Sequence, residues 1–223
     1  MKTIVTFLFA LSTLTIFAQN PLDKRVGDFT TVKVFDLIEV NLVKSDEPSV
    51  VITGEDVEDV EVINKNGVLK IRMKLERIFD GTKTFVTVNY TDLKVIDGNE
   101  GAYISSNELI EQDNITLKSQ EGARLKIGLD VRSVDIRAVS GGIVETRGRA
   151  DSQDIILNTG GIYEGKAFET KNTKVRISAA GDAEVNASKV VDAKVRAGGD
   201  IYIYGNPDTV KENRVLGGRI KRM

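Results

Sequence analysis

The chain contains neither histidine nor cysteine. That removes Ser–His–Asp and Cys–His nucleophilic catalysis, histidine general bases and the usual zinc ligand sets. No P-loop and no G-x-G-x-x-G opening a helix is present. Carboxylates, cations and tyrosines are what remain to do chemistry. Asp182, Glu184 and Asp200 are acids of the kind that glycoside hydrolases and calcium-dependent lyases use. They alternate with apolar residues, however, and no close cluster of three acids stands out, so they read as a solvated strand face. The sequence is accordingly read as non-enzymatic, with no cofactor and no metal site.

Binding is the chemistry that the remaining groups suit. Arg137, Arg176, Lys194 and Arg196 recur at similar places in successive segments. As a basic stripe they would hold acidic glycans or lipid headgroups. As ordinary surface charge they would pair with Asp135, Asp154 and Asp192 in neighbouring segments, each exposed pair adding about 0–1 kcal/mol. Tyr202 and Tyr204 alternate with Ile201 and Ile203 and should face outward together. Such a pair forms either a platform for stacking sugars or a shield over the end of the fold.

The elements that would position these residues are legible from a repeat. Gly101, Gly122, Gly142, Gly161, Gly181, Gly199 and Gly218 recur at intervals of 18 to 21 residues. Glycine serves backbone positions with positive φ or close approach of another chain, so Gly122, Gly142, Gly161, Gly181 and Gly199 are read as turn residues. Before each turn the sequence alternates. Val134, Ile136, Ala138 and Ser140 form one inward set, and Ile155, Leu157 and Thr159 the next. Val175, Ile177 and Ala179 follow, then Val191, Ala193, Val195 and Ala197. After the turns it resumes with Val144, Thr146 and Gly148, with Ala183, Val185 and Ala187, and with Ile201 and Ile203. A period of two marks a strand with one buried face, and these inward residues are small. Strand–turn units of about 20 residues predict an all-β solenoid whose coils stack about 4.8 Å apart. A sandwich of hairpins would also alternate, but it does not require one glycine cluster per unit. Aligned on the turns, Asp135, Asp154, Lys174 and Asp192 fall in one column, and Arg137, Ile156, Arg176 and Lys194 in another.

Length and composition agree with such a fold. Of 223 residues, 41% are apolar and only 6% aromatic, which suits a thin, repetitive interior. Residues 1–18 read as a secretory signal peptide, with Lys2 as the positive region, an apolar run from Ile4 to Phe17 and Ala18 before the cleavage point. No cysteine follows to carry a lipid, and no later segment is apolar enough to span a membrane. The net charge of −2 becomes more negative when Lys2 is removed, against a dedicated nucleic-acid binder.

Phe35 to Met73 reads FDLIEVNLVKSDEPSVVITGEDVEDVEVINKNGVLKIRM. Its F-D-x-I-E-V opening, D-E-P-S-V-x-I-x-G turn and N-G-x-L-K-I strand come first. FVTVNYTDLKVIDGNEGAYI, the glycine-turn coils and a closing YGNP follow in order. This series resembles the head GIN domain family of putative autotransporter adhesins, across Phe29 to Asp208. The resemblance implies a right-handed parallel β-helix-like fold, export, an envelope or extracellular address and no established enzyme activity. Family turns tend to read G-S-G-D. Here they read GNEG, SQEG, VSGG, NTGG, AAGD and AGGD, so only Asp182 and Asp200 follow their glycines directly.

The resulting expectation is an exported protein divided into four parts. These are the signal peptide (1–18), an irregular N-terminal β section (19–97), glycine-turn coils (98–208) and a partial last coil with a C-terminal cap (209–223). Its expected role is non-catalytic, as an adhesin or interaction module for a cell-surface glycan or envelope protein. A structural part of an envelope assembly and a polysaccharide-active enzyme are the alternatives. Periplasm, outer-membrane surface and extracellular space are all open as its address.

Overall fold

A computed structural model describes residues 21–223. The signal segment read at 1–18 lies outside the described residues. Eight short strands come first: β1 (Leu22–Arg25), β2 (Thr31–Val34), β3 (Glu39–Lys44), β4 (Ser49–Gly54), β5 (Val60–Lys65), β6 (Val68–Met73), β7 (Thr84–Tyr90) and β8 (Val95–Gly98). Five long strands follow: β9 (Tyr103–Gln120), β10 (Arg124–Val139), β11 (Ile143–Asn158), β12 (Gly161–Ser178) and β13 (Gly181–Arg196). The chain closes with β14 (Asp200–Tyr204), β15 (Thr209–Val215) and β16 (Arg219–Arg222).

Each long strand is one coil of a solenoid. It leaves a glycine turn along a first face, bends, and runs up a second face to the next turn. Neighbouring coils pair in parallel with Arg124 opposite Ile143 and Val139 opposite Asn158, so the true repeat is 19 residues there. The whole solenoid has about seven turns.

The N-terminal section is part of the same stack but is threaded out of order. Along the first face the strands run β1-β4-β7-β3-β9, and along the second β5-β6-β2-β8-β9. The coil made by β2 and β3 thus sits between the coil of β6 and β7 and the later one beginning at β8. It is buried from both sides, with Val32, Val34, Ile38 and Val40 fully covered. β1 and β4 on one face, and β5 on the other, run antiparallel to their neighbours and close the N-terminal end.

The turns refine the reading of the glycines. Register places Gly101, Gly122, Gly141, Gly160, Ala180, Gly198 and Gly217 at one equivalent position, where φ is positive in every case. The residue before each is also left-handed: Glu100, Glu121, Ser140, Thr159, Ala179, Ala197 and Leu216. Gly142 and Gly161 belong to the next position and do not have positive φ. A Cβ on Gly142 would stand 2.3 Å from the Ser119 carbonyl oxygen, and one on Gly161 2.1 Å from that of Ala138. Close approach of the coil below, not turn conformation, demands glycine there. The glycine series in the sequence therefore mixes two registers. Ser140, Thr159, Ala179 and Ala197, which continue the inward alternation on paper, are exposed. The chain has already entered its left-handed turn, and the period of two ends one residue earlier.

Inside, the solenoid is filled by the alternating Val, Ile, Leu and Ala residues, but not by small side chains alone. Tyr163 and Phe168 are among the largest fully buried residues. The Tyr163 hydroxyl donates to Gln153 Oε1 at 2.7 Å and lies 2.7 Å from Thr146 Oγ1. Gln153 Nε2 donates to Thr173 Oγ1 (2.8 Å), which lies 2.8 Å from Thr170 Oγ1. Four buried polar residues are thereby satisfied around one phenol, as burial demands. Tyr163 stacks above Val144 and below Ala183 in one interior column, so the small Ala183 offsets the ring's volume.

Candidate ligand-binding groove and charged face

The bend between the two faces is concave and forms a trough of about 920 Å³. Its floor is the column Val131, Ala150 and Thr170, which is buried and small. One wall carries Asp130, Arg149, Glu169 and Asn186, and the other Arg132, Asp151, Lys171 and Ser188. Gln112 and Gly205 mark its ends. Ion pairs join successive coils along the walls. Arg149 bonds both carboxylate oxygens of Asp130 (2.6 to 3.0 Å), Lys171 meets Asp151 at 2.6 Å, and Arg132 meets Asp113 at 2.8 Å. The hydrogen bond and charge of Arg149 hold the Asp130 carboxyl below its ordinary pKa, and Lys171 does the same for Asp151. Among the described residues Glu169 has no ion-pair partner.

Sequence reasoning missed this trough. Its signal was available as three triplets in consecutive coils, Asp130-Val131-Arg132, Arg149-Ala150-Asp151 and Glu169-Thr170-Lys171. Each places two charges around one small residue. The bend interrupts the strand alternation on which the sequence reading relied.

On the second face the register places the predicted cations together. Arg137, Ile156, Arg176 and Lys194 stand in one column, as the turn alignment implied, beside the column Asp135, Asp154, Lys174 and Asp192. Arg196 lies two residues further along, in the column of Ser178 and Asn158. The cation column also extends beyond the predicted set, through Lys118, Asp97 and Lys33 to Lys70. Two of its members are neutralised locally: Arg176 meets Asp154 at 2.7 Å and Lys33 meets Asp97 at 3.3 Å. Lys118, Arg137, Lys194 and Arg196 have no carboxylate partner among the described residues. Like charges on adjacent strands cost stability, as with Lys118 beside Arg137 and Arg176 beside Lys194.

Tyr202 and Tyr204 lie together on the first face, half-buried. Lys221 sits over the Tyr202 ring, 5.6 Å from its centroid, and Lys166 over Tyr204 at 4.8 Å. Their hydroxyls approach Asp200 (3.4 Å) and Glu184 (3.3 Å). A ring face that a sugar would stack on is thus shared with a lysine. On the same face Arg124 bridges Glu145 and Glu164 at 3.2 and 2.6 Å.

β14 and β15 form the coil that follows β13, and β16 begins the next one on β14. Where β13 places Ala193 and Val195 inside, β15 places Glu212 and Arg214, both exposed at the open end. Inward charges at a terminal strand oppose the stacking of another chain. Among the described residues, no group of three acids is arranged to hold a metal ion. No helix among them is long and apolar enough to cross a membrane.

Comparisons with known proteins follow the same architecture. The family model described as "Putative auto-transporter adhesin, head GIN domain" matches residues 28–207. Among solved structures, a putative adhesin from Bacteroides fragilis is 20% identical with a TM-score of 0.84, over 92% of this chain and 96% of that one. A putative adhesin from Parabacteroides distasonis is 19% identical with a TM-score of 0.72, over 92% and 96%. A putative lipid binding protein from the same organism is 15% identical with a TM-score of 0.69, over the same shares. At these identities the likeness concerns the fold. No curated protein matches the chain.

Proposed function

The chain belongs to the head GIN domain family, and from that premise we propose that it is an exported, non-catalytic module that binds acidic glycan at the cell surface through its second face. The cation column supports this reading. Lys118 and Arg137 are adjacent at the coil spacing, and Lys194 stands three coils beyond Arg137 in the same column. None of the three has a carboxylate partner among the described residues, and Arg196 flanks Lys194. Adjacent like charges are unfavourable in the free protein. A polyanion laid along the column relieves that repulsion at several coils together. The interruption at Ile156 divides the column into two basic segments, Lys118 with Arg137 and Arg176 with Lys194.

The test is retention on immobilised polygalacturonate. The wild-type protein should bind at about 0.1 M salt and elute as the salt approaches about 1 M, where exposed charges are screened. The Arg137→Glu/Lys194→Glu variant should pass through at low salt with its β-sheet circular dichroism unchanged. A wild-type protein that ignores acidic glycans, or a variant that still binds them, would remove this reading.

A further inference from the structure

The trough at the bend is distinct from the charged face, and we infer that it is a binding site for an extended, uncharged oligosaccharide. Three features set the ligand class. Equivalent positions repeat along the trough at the coil spacing of about 4.8 Å, so it presents a series of similar subsites to a chain molecule. Its charges are balanced and largely tied to each other, through Arg149 with Asp130, Lys171 with Asp151, and Arg132 with Asp113. An anionic chain would therefore gain little there. Both walls carry carboxylate and guanidinium groups, one adds the Asn186 amide and the other the Lys171 ammonium and Ser188 hydroxyl, while the floor is limited to the small side chains of Val131, Ala150 and Thr170. A protein partner needs large apolar or aromatic anchors in such a site, and the trough has none. Hydroxyl groups of a neutral sugar chain match donors and acceptors that are already oriented.

The trough is also built rigidly. Thr170 on the floor is 5% exposed and donates to the Asn186 carbonyl oxygen at 2.9 Å. Its hydroxyl is the outer end of the interior chain running through Thr173 and Gln153 to Tyr163. Ser188 Oγ donates to the Thr170 carbonyl oxygen at 3.2 Å. The network locks the floor and the start of both walls before any ligand arrives, which lowers the ordering cost of binding. The volume of about 920 Å³ falls within the size of ordinary ligand sites.

The experiment is isothermal titration of the full chain with neutral hexasaccharides of glucan, xylan, mannan and chitin type, and with the matching trisaccharides. At least one hexasaccharide should bind, about tenfold more tightly than its trisaccharide, because more coils are engaged. Changing salt from about 0.1 to about 1 M should alter that affinity less than twofold, since no net charge is neutralised. Ser188→Trp, at an exposed wall position, should narrow the trough and weaken binding at least tenfold. Glu169→Ala removes an acceptor that supports no ion pair and should weaken it severalfold without lowering the melting temperature. The Arg137→Glu/Lys194→Glu variant should bind the same hexasaccharide unchanged, which separates this site from the acidic-glycan face. Absence of binding by every neutral hexasaccharide would overturn the assignment. So would equal affinity for hexamer and trimer, or binding indifferent to both wall variants.

Discussion

The Tyr163 ring occupies the space that any side chain at Gly165 would need. A Cβ at Gly165 would lie 2.3 Å from Tyr163 Cε1 and 2.5 Å from its hydroxyl oxygen. The two residues are consecutive inward positions of one strand, and the larger fits because the other has no side chain. Gly165→Ala should therefore destabilise the protein by about 1–3 kcal/mol through overpacking. Chemical denaturation of Gly165→Ala, Tyr163→Val and the double variant tests the pairing. In the double variant the alanine should cost much less than it does beside tyrosine, and strict additivity would refute the relationship.

The Tyr163 hydroxyl makes its own contribution. Tyr163→Phe leaves Thr146 and Gln153 buried without their shared partner, which should cost about 1–3 kcal/mol. Little change in the denaturation midpoint would mean that the network rearranges around the gap.

Alkaline pH gives an independent measurement of the same group. Burial raises the Tyr163 pKa well above the ordinary 10.0, so the folded protein keeps a proton that the unfolded chain releases. The contribution of the neutral phenol is fully present below pH 10 and is lost as the pH rises above it. The stability of the wild type should fall more steeply above pH 10 than that of Tyr163→Phe. Parallel curves for the two proteins would contradict this linkage.

At the turn position occupied elsewhere by glycine, Ala180 adopts φ of 64°, next to Ala179 at 56°. A left-handed L-residue costs about 1–2 kcal/mol, whereas glycine adds about 0.4–1 kcal/mol of unfolded-state entropy. Ala180→Gly should thus raise stability slightly, by about 1 kcal/mol or less, with an increase in melting temperature. A decrease would show that the Ala180 methyl makes contacts worth more than the strain.

Glu100 offers an acidic-range test. Partial burial, followed by the carboxylate of Asp36, raises its pKa above the ordinary 4.5. The folded state prefers the protonated form, so this group's favourable contribution is present below pH 4.5 and disappears as pH rises through the raised value. Glu100→Gln should accordingly stabilise the protein at pH 7 and have little effect near pH 4. Equal effects at both pH values would assign the change to something other than charge.

Much of the architecture was readable because a solenoid repeats its physics in the chain. Val175 and Ile177, or Val191, Ala193 and Val195, alternate because each pairs with the same position one coil away and faces the same interior. That local regularity fixed the strand periodicity, the recurrence of turns and the column shared by Arg137, Arg176 and Lys194. The turn register was harder to read, since Gly141 and Gly142 look interchangeable in sequence. One is required by positive φ and the other by a carbonyl oxygen of the preceding coil.

By itself, then, the sequence determined an all-β solenoid, its spacing, the family resemblance and which cations share a face. Tertiary structure decided what depends on contacts without a repeat. It inserted the coil of β2 and β3 between two later ones, a choice of strand partners that no local pattern encodes. It turned Tyr163 inward to a polar network, which Gly165 and Ala183 permit only by leaving room in adjacent positions. It also curved the chain at Val131, Ala150 and Thr170, bringing separate coils' charges to the two sides of a trough. Alternation reports which way a side chain points relative to its own strand. It does not report the curvature of that strand, and the curvature makes the groove.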